Sequence, residues 1–193
     1  VALEEDGGVL QLVPALRRRA PTLHRWNGRL FLLVATIVAG AGLRIIATRG
    51  NLGGLPMHLG NVLNAGAIFL CGALAFTTAL RGDYAAHRRW ALRAFLAVSG
   101  VWFIRVGYGL WVTLCGFEPV GMTAEMSGPF DRFLAFGHTL VPLAILEAFL
   151  LAERAESPLP RFAMTLVLGL ATVATAVGVF VAANMFWLPK LQA

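Results

Sequence analysis

Five apolar runs, each flanked by basic residues, constrain this chain more than any other feature. They cover about residues 28–47, 59–80, 91–115, 133–152 and 162–186. An α-helix rises about 1.5 Å per residue, so about 20 apolar residues cross roughly 30 Å of hydrocarbon. Composition points the same way. The 193 residues are 58% apolar and 13% charged, with a mean hydropathy of +0.73. Soluble domains carry about 25% charged residues. Half that share leaves too little polar surface to solvate a globule of this size. The expected fold is therefore all-α: a polytopic transmembrane helical bundle of five spans, forming a single transmembrane domain over residues 1–193.

The connectors carry the punctuation that helix ends require. Pro21 suits the first turn of a helix, where its missing N–H costs nothing. RGNLGGLP at residues 49–56 reads as a turn. Arg81-Gly82-Asp83 breaks the second run, with Asp83 placed to cap the next helix. A polar loop at residues 116–129 holds Glu118 and Glu125, and ERAESPLPR at residues 153–161 joins the last two runs. Trp187, Pro189 and Lys190 read as an interfacial belt. Residues 1–6 show neither a basic n-region nor an apolar h-region, so no signal peptide is expected there, and further residues are expected upstream of Val1.

The basic residues set an orientation. Arg17, Arg18, Arg19, Arg25, Arg29, Arg81, Arg88, Arg89, Arg93, Arg154 and Arg161 fall on one side, against Arg44, Arg49, Arg132 and Lys190 on the other. Cytoplasmic loops carry the excess of arginine and lysine. The richer side is expected to face the cytoplasm from a cell (inner) membrane, with the acidic loop and the C-terminus outside. A net charge of +6 gathered at the ends of apolar runs suits anionic headgroups, and no nucleic-acid-reading motif is present.

One motif occurs twice on the arginine-rich side. HRWNGRLF at residues 24–31 and HRRWALRAF at residues 87–95 both open with His-Arg and continue as W-x-x-R-x-F. Both copies point the same way, so the first four spans read as two repeated helix pairs in parallel, with the fifth span on their flank. Trp26 with Arg29, and Trp90 with Arg93, share a helix face at i, i+3. Each pair can set a guanidinium against an indole at headgroup depth. Arg25, Arg29, Trp26, Arg88, Trp90 and Arg93 are thus candidates for contact with a lipid phosphate or another anionic head. Membrane anchoring alone would use the same residues.

Within the spans, small residues and charges stand out. Ala67, Cys71 and Ala75, and likewise Ala174, Gly178 and Ala182, recur every four residues, as close helix contacts in lipid require. Cys71 and Cys115 read as small buried hydrophobes. Arg105 lies about 18 Å beyond Arg93 along a helix, too deep to snorkel with ease. In depth it falls between His138 and Glu147. Arg105 and Glu147 form a candidate intramembrane charge pair; with His138 they also sketch a proton or anion path. Arg44 sits where it can reach the outer headgroups.

Four histidines invite a haem reading. His24 and His87 map to the cytoplasmic side, His58 and His138 to the outer side. Neutral imidazoles are common axial ligands, and nearby arginines suit propionates. Against this, His24 stands two residues before its Trp and His87 three. One residue is about 100° around a helix, so the two imidazoles leave different faces relative to their tryptophans. Beyond a haem iron, no metal site is expected.

GGVLQLVPALRRRAPTLHRWNGRLF followed by HRRWALRAF resembles the bacterial membrane family named domain of unknown function 2306. Gln11, Pro14, Arg17, His24, Arg25, Gly28, Arg29, His87, Arg88, Trp90 and Arg93 carry the resemblance, which covers about residues 8–147. Phe31 stands where the family usually has Tyr, and Ala91 where it has Met. The resemblance implies the multi-span architecture and an apolar helix upstream of the acidic Glu4-Glu5-Asp6; it implies no settled activity.

No Gly-rich phosphate loop, G-x-S-x-G or H-E-x-x-H occurs, so neither soluble catalysis nor its absence is read from the chain. The leading expectation is a membrane redox component binding haem b or handling quinone, with His24, His87, His58 and His138 as candidate ligands. A non-catalytic accessory or scaffold subunit of a larger membrane complex is the alternative. A proton or small-solute transporter using Arg105 and Glu147 is the third.

Overall fold

Six helices follow one another in the computed structural model, which describes residues 19–116 and 119–184: α1 (Pro21–Arg49), α2 (Gly54–Leu80), α3 (Tyr84–Val98), α4 (Gly100–Cys115), α5 (Pro129–Arg154) and α6 (Pro158–Ala182). Four are each long and apolar enough to cross a membrane, and α3 with α4 make a fifth span if taken together. The Trp187, Pro189 and Lys190 belt, the N-terminal segment and Glu118 lie outside the described residues.

Local chemistry sets the ends. Pro21 opens α1, Pro129 opens α5 and Pro158 opens α6, each in the first turn. The Asp83 carboxylate accepts from the Ala86 N–H at 2.9 Å and so caps α3. Gly82 takes a φ of 74° just before it, a left-handed turn that favours glycine. α1 starts earlier than the apolar run does, so His24, Trp26 and Arg29 already sit on the helix.

The third predicted span is not one helix. It stops at Ser99 and resumes at Gly100. The Ser99 hydroxyl donates to the Phe95 carbonyl at 3.0 Å, and Ser-Gly pairs are common break points.

Two observations identify the solvent. In the most apolar stretches of α1 and α6 only 11% of residues are buried, so large side chains such as Leu33, Ile37, Leu170 and Phe180 face outward. Meanwhile the hydroxyls of Thr36, Thr77, Thr113, Thr165 and Thr172 each donate to the carbonyl four residues back, at 2.8–2.9 Å for the last four and 2.7 Å for Thr36. Hydroxyls satisfied within their own helix leave no polar hydrogen facing lipid.

Internal contacts gather the chain into two compact units, one of Val1–Gly50 and Asn61–Ser99, the other of Asn51–Gly60 and Gly100–Ala193. The first unit holds α1, most of α2, and α3. Small residues fill its interior: Ala35 and Ala39 of α1, Cys71 and Ala75 of α2, Ala94 and Ala97 of α3. Polar bonds cross from α2 to α3. The Asn64 amide donates to the Ala97 carbonyl at 2.8 Å, and His87 Nδ1 lies 2.8 Å from the Ala75 carbonyl oxygen.

In the second unit α4 packs most extensively on α6, and less on α5. A Cβ on Gly178 would stand 2.6 Å from the Val106 carbonyl oxygen, and one on Gly109 would stand 2.6 Å from the Gly178 carbonyl oxygen. The backbones therefore touch. Gly178 and Ala182, from the predicted small-residue stripe, are the contact. A Cβ on Gly60 would collide with the Ala135 carbonyl in the same manner. The acidic loop is folded onto the end of α5: the wholly buried Asp131 carboxylate accepts from Tyr108 Oη at 3.0 Å, Thr123 N–H at 3.0 Å and Gly128 N–H at 2.9 Å. Trp111 stacks on Phe130, with centroids 4.4 Å apart, and donates to the Val120 carbonyl at 2.8 Å.

Candidate functional site

The duplicated motif builds a cavity. In the first unit the leading turns of α1 and α3 and the last turns of α2 enclose about 790 Å³. Its polar wall is His24, Arg25 and Arg29 from α1 with Tyr84, His87 and Arg88 from α3. Its apolar wall includes Leu32 of α1 and Phe76 and Leu80 of α2. Among the described residues no carboxylate lines it. The cavity also opens at the N-terminal ends of two helices, whose exposed N–H groups add positive potential.

The spacing mismatch between the motif copies has a structural meaning. His24 and His87 line the same cavity although they precede their tryptophans by different intervals. The histidines thus share the cavity, and the tryptophans do not line it. Trp26 is largely exposed, at 65%, whereas Trp90 is half-buried. Both indoles carry their guanidinium: Arg29 Cζ lies 5.3 Å from the Trp26 ring centroid and Arg93 Cζ 4.6 Å from that of Trp90. Of the expected headgroup set, Arg25, Arg29 and Arg88 line the cavity, and Trp26, Trp90 and Arg93 do not.

Hydrogen bonding fixes the imidazole of His87. A carbonyl oxygen only accepts, so Nδ1 donates to Ala75 and the lone pair is left on Nε2. Metal-ligating histidines are commonly held in this way, one nitrogen on a backbone carbonyl and the other free to coordinate.

The remaining candidates lie in the second unit and have local roles. His58 Nε2 accepts from the Asn51 N–H at 3.1 Å, which ties the turn between α1 and α2. His138, 3% exposed, donates from Nδ1 to the Leu134 carbonyl of its own helix at 2.9 Å. Arg105 on α4 and Glu147 on α5 are both half-buried. On α4, Gly109 meets Gly178 of α6, while Gly107 meets the Leu134 side chain of α5. Sequence reasoning missed Tyr84 and the apolar wall of Leu32, Phe76 and Leu80. Their signal was present, one or two turns from the motif histidines on neighbouring helix ends.

Long apolar helices, outward-facing leucines and internally satisfied hydroxyls define a polytopic α-helical membrane protein. The chain belongs to the DUF2306 family, described as a predicted membrane protein, whose sequence profile matches residues 6–151. No curated protein and no solved structure shows significant similarity to it. Every residue lining the cavity falls inside the matched stretch, and α6 lies beyond it.

Proposed function

We propose that this membrane protein binds an anionic amphiphile at headgroup depth and that, as a redox component, it holds its cofactor there. One observation carries the reading: Arg25, Arg29 and Arg88 meet His24 and His87 over an apolar wall, with no carboxylate among the described lining residues. Guanidiniums grouped beside low-dielectric surface are stabilised by a carboxylate or phosphate, which they grip in bidentate fashion. An apolar body then fills the rest of the space. Of the two expected cofactors, haem b brings both a flat apolar ring and anionic propionates. A neutral quinone brings no anionic group to match the three arginines. The excess of basic residues on this side favours a cytoplasmic opening in a cell membrane.

The test is what leaves the membrane with the protein. Wild type and the triple variant Arg25→Gln, Arg29→Gln, Arg88→Gln are purified in mild detergent and extracted for mass spectrometry. Wild type is expected to retain an acidic amphiphile in stoichiometric amount, and the variant to lose it. Wild type free of any acidic amphiphile, or equal retention by the variant, overturns the reading.

A second reading rests on the outward apolar faces of α1 and α6, which suit an accessory subunit packed against a membrane partner. A partner protein that co-purifies in stoichiometric amount with the triple variant as well as wild type would favour it.

A further inference from the structure

We infer that the amphiphile is a single haem b, its iron held between the imidazoles of His24 and His87. This rests on the anionic-amphiphile reading above and narrows it to one ligand. In this cavity two of the histidines, His24 of α1 and His87 of α3, line a common space. Its volume of about 790 Å³ falls within the roughly 300–1,000 Å³ typical of cofactor sites. Haem b asks for three things at once: neutral imidazole nitrogens for the iron, cations for two propionates, and apolar surface for the ring. His87 offers a defined Nε2 lone pair because Ala75 fixes its tautomer. Arg25, Arg29 and Arg88 supply the cations, and Leu32, Phe76 and Leu80 the apolar wall. A phospholipid would use the arginines and the apolar wall but has no need of two imidazoles in the lining.

The proposal is for one haem, at this cavity. The second pair expected from the sequence, His58 with His138, offers no matching arrangement. The Nε2 lone pair of His58 already accepts the Asn51 N–H. Their hydrogen bonds tie a turn and a helix of the second unit.

The experiment uses the full chain purified in detergent from haem-replete cells, with haemin titrated into any unloaded fraction. Wild type, His24→Ala, His87→Ala, His24→Met and His87→Met are compared by absorbance, with thermal melting to confirm folding. The expected result is one haem per chain with a six-coordinate, low-spin Soret spectrum. Each alanine variant goes over to a five-coordinate, high-spin spectrum, and added imidazole restores the low-spin form. Each methionine variant keeps six-coordination with a raised reduction potential, which a merely structural histidine would not produce. Wild type without stoichiometric haem but with acidic lipid retained overturns the haem assignment and leaves the anionic-amphiphile reading standing. Wild type with neither overturns both. Haem that stays low-spin in both alanine variants overturns the ligand assignment.

Discussion

His87 on α3 donates from Nδ1 to the Ala75 carbonyl on α2 across 2.8 Å, joining the ends of two helices that the sequence separates by a turn at Arg81-Gly82-Asp83. The same carbonyl also accepts the Thr78 hydroxyl at 3.1 Å. Losing the imidazole therefore does not orphan the oxygen. His87→Phe, which keeps the bulk and removes the donor, is expected to cost about 0.5–1.5 kcal/mol, the net worth of one hydrogen bond. Reversible unfolding in mixed detergent and dodecyl sulfate measures it. A loss well above that range would show that the ring holds α2 and α3 together by packing more than by this bond.

Asn64 makes a second, buried bond from α2 to α3. Its amide donates to the Ala97 carbonyl, two residues before the helix breaks at Ser99. Interhelical side-chain hydrogen bonds in membranes average about 0.6 kcal/mol and reach about 1.7. A carbonyl beside a helix break has lost part of its own ladder, so the upper half of that range is expected for Asn64→Leu. Hydrogen exchange should rise at residues 97–100 before it rises elsewhere in α3. Unchanged exchange at the break would show that Ser99, with its own hydroxyl on Phe95, is held without help from Asn64.

Glycines on α6 separate contact from composition. Gly178 meets the Val106 backbone, which cannot step aside as a side-chain tip can. Gly178→Val is expected to destabilise by about 2–3 kcal/mol through overpacking. Gly169, on the same helix, has nothing within 4 Å of its would-be Cβ. Gly169→Ala is expected to be neutral or to stabilise by about 0.5–1 kcal/mol through helix propensity. Melting temperatures of the two variants in one detergent decide it. Equal destabilisation by both would mean that α6 is not seated on α4 through this face.

How much of this was legible beforehand depended on the range of the interaction. Span existence follows from apolar length, and Asp83 as a cap follows from residue type next to a helix start. Both are local, and both appear in the chain of letters. The parting of α3 from α4 was not foreseen, because Ser99-Gly100 reads as helix-tolerant inside an apolar run. The Arg105–Glu147 pair was drawn from depth alone, and depth says nothing of azimuth: α4 sets Gly109 against α6 and Gly107 against α5, a division that residue spacing along the span does not reveal. The cavity was half legible. The repeated His-Arg marked its polar wall. Which residues would face one another required the register between α1 and α3, and the unequal His-to-Trp spacing in the two copies hid it. The apolar wall came from α2, which carries no motif at all.

That unequal spacing leads to a last prediction, because it divides two chemically identical stacks. Arg29 lies over Trp26 and also lines the cavity, whereas Arg93 lies over Trp90 and does not. Trp26 thus restrains an arginine that lines the cavity. Trp90 restrains one that faces elsewhere. A cation–π contact at an exposed site is worth about 0.5–1 kcal/mol, which corresponds to about a two- to fivefold change in affinity. Trp26→Leu keeps an apolar anchor at the interface and removes the stack, so it is expected to weaken retention of the acidic amphiphile by about that factor. Trp90→Leu should leave retention unchanged while lowering stability slightly, since Trp90 is the more buried of the two. Ligand titration of the two variants in parallel supplies the comparison. If both weaken retention equally, the tryptophans act through the membrane surface rather than through Arg29. If Trp90→Leu alone does, the cavity is being shaped from the α3 side.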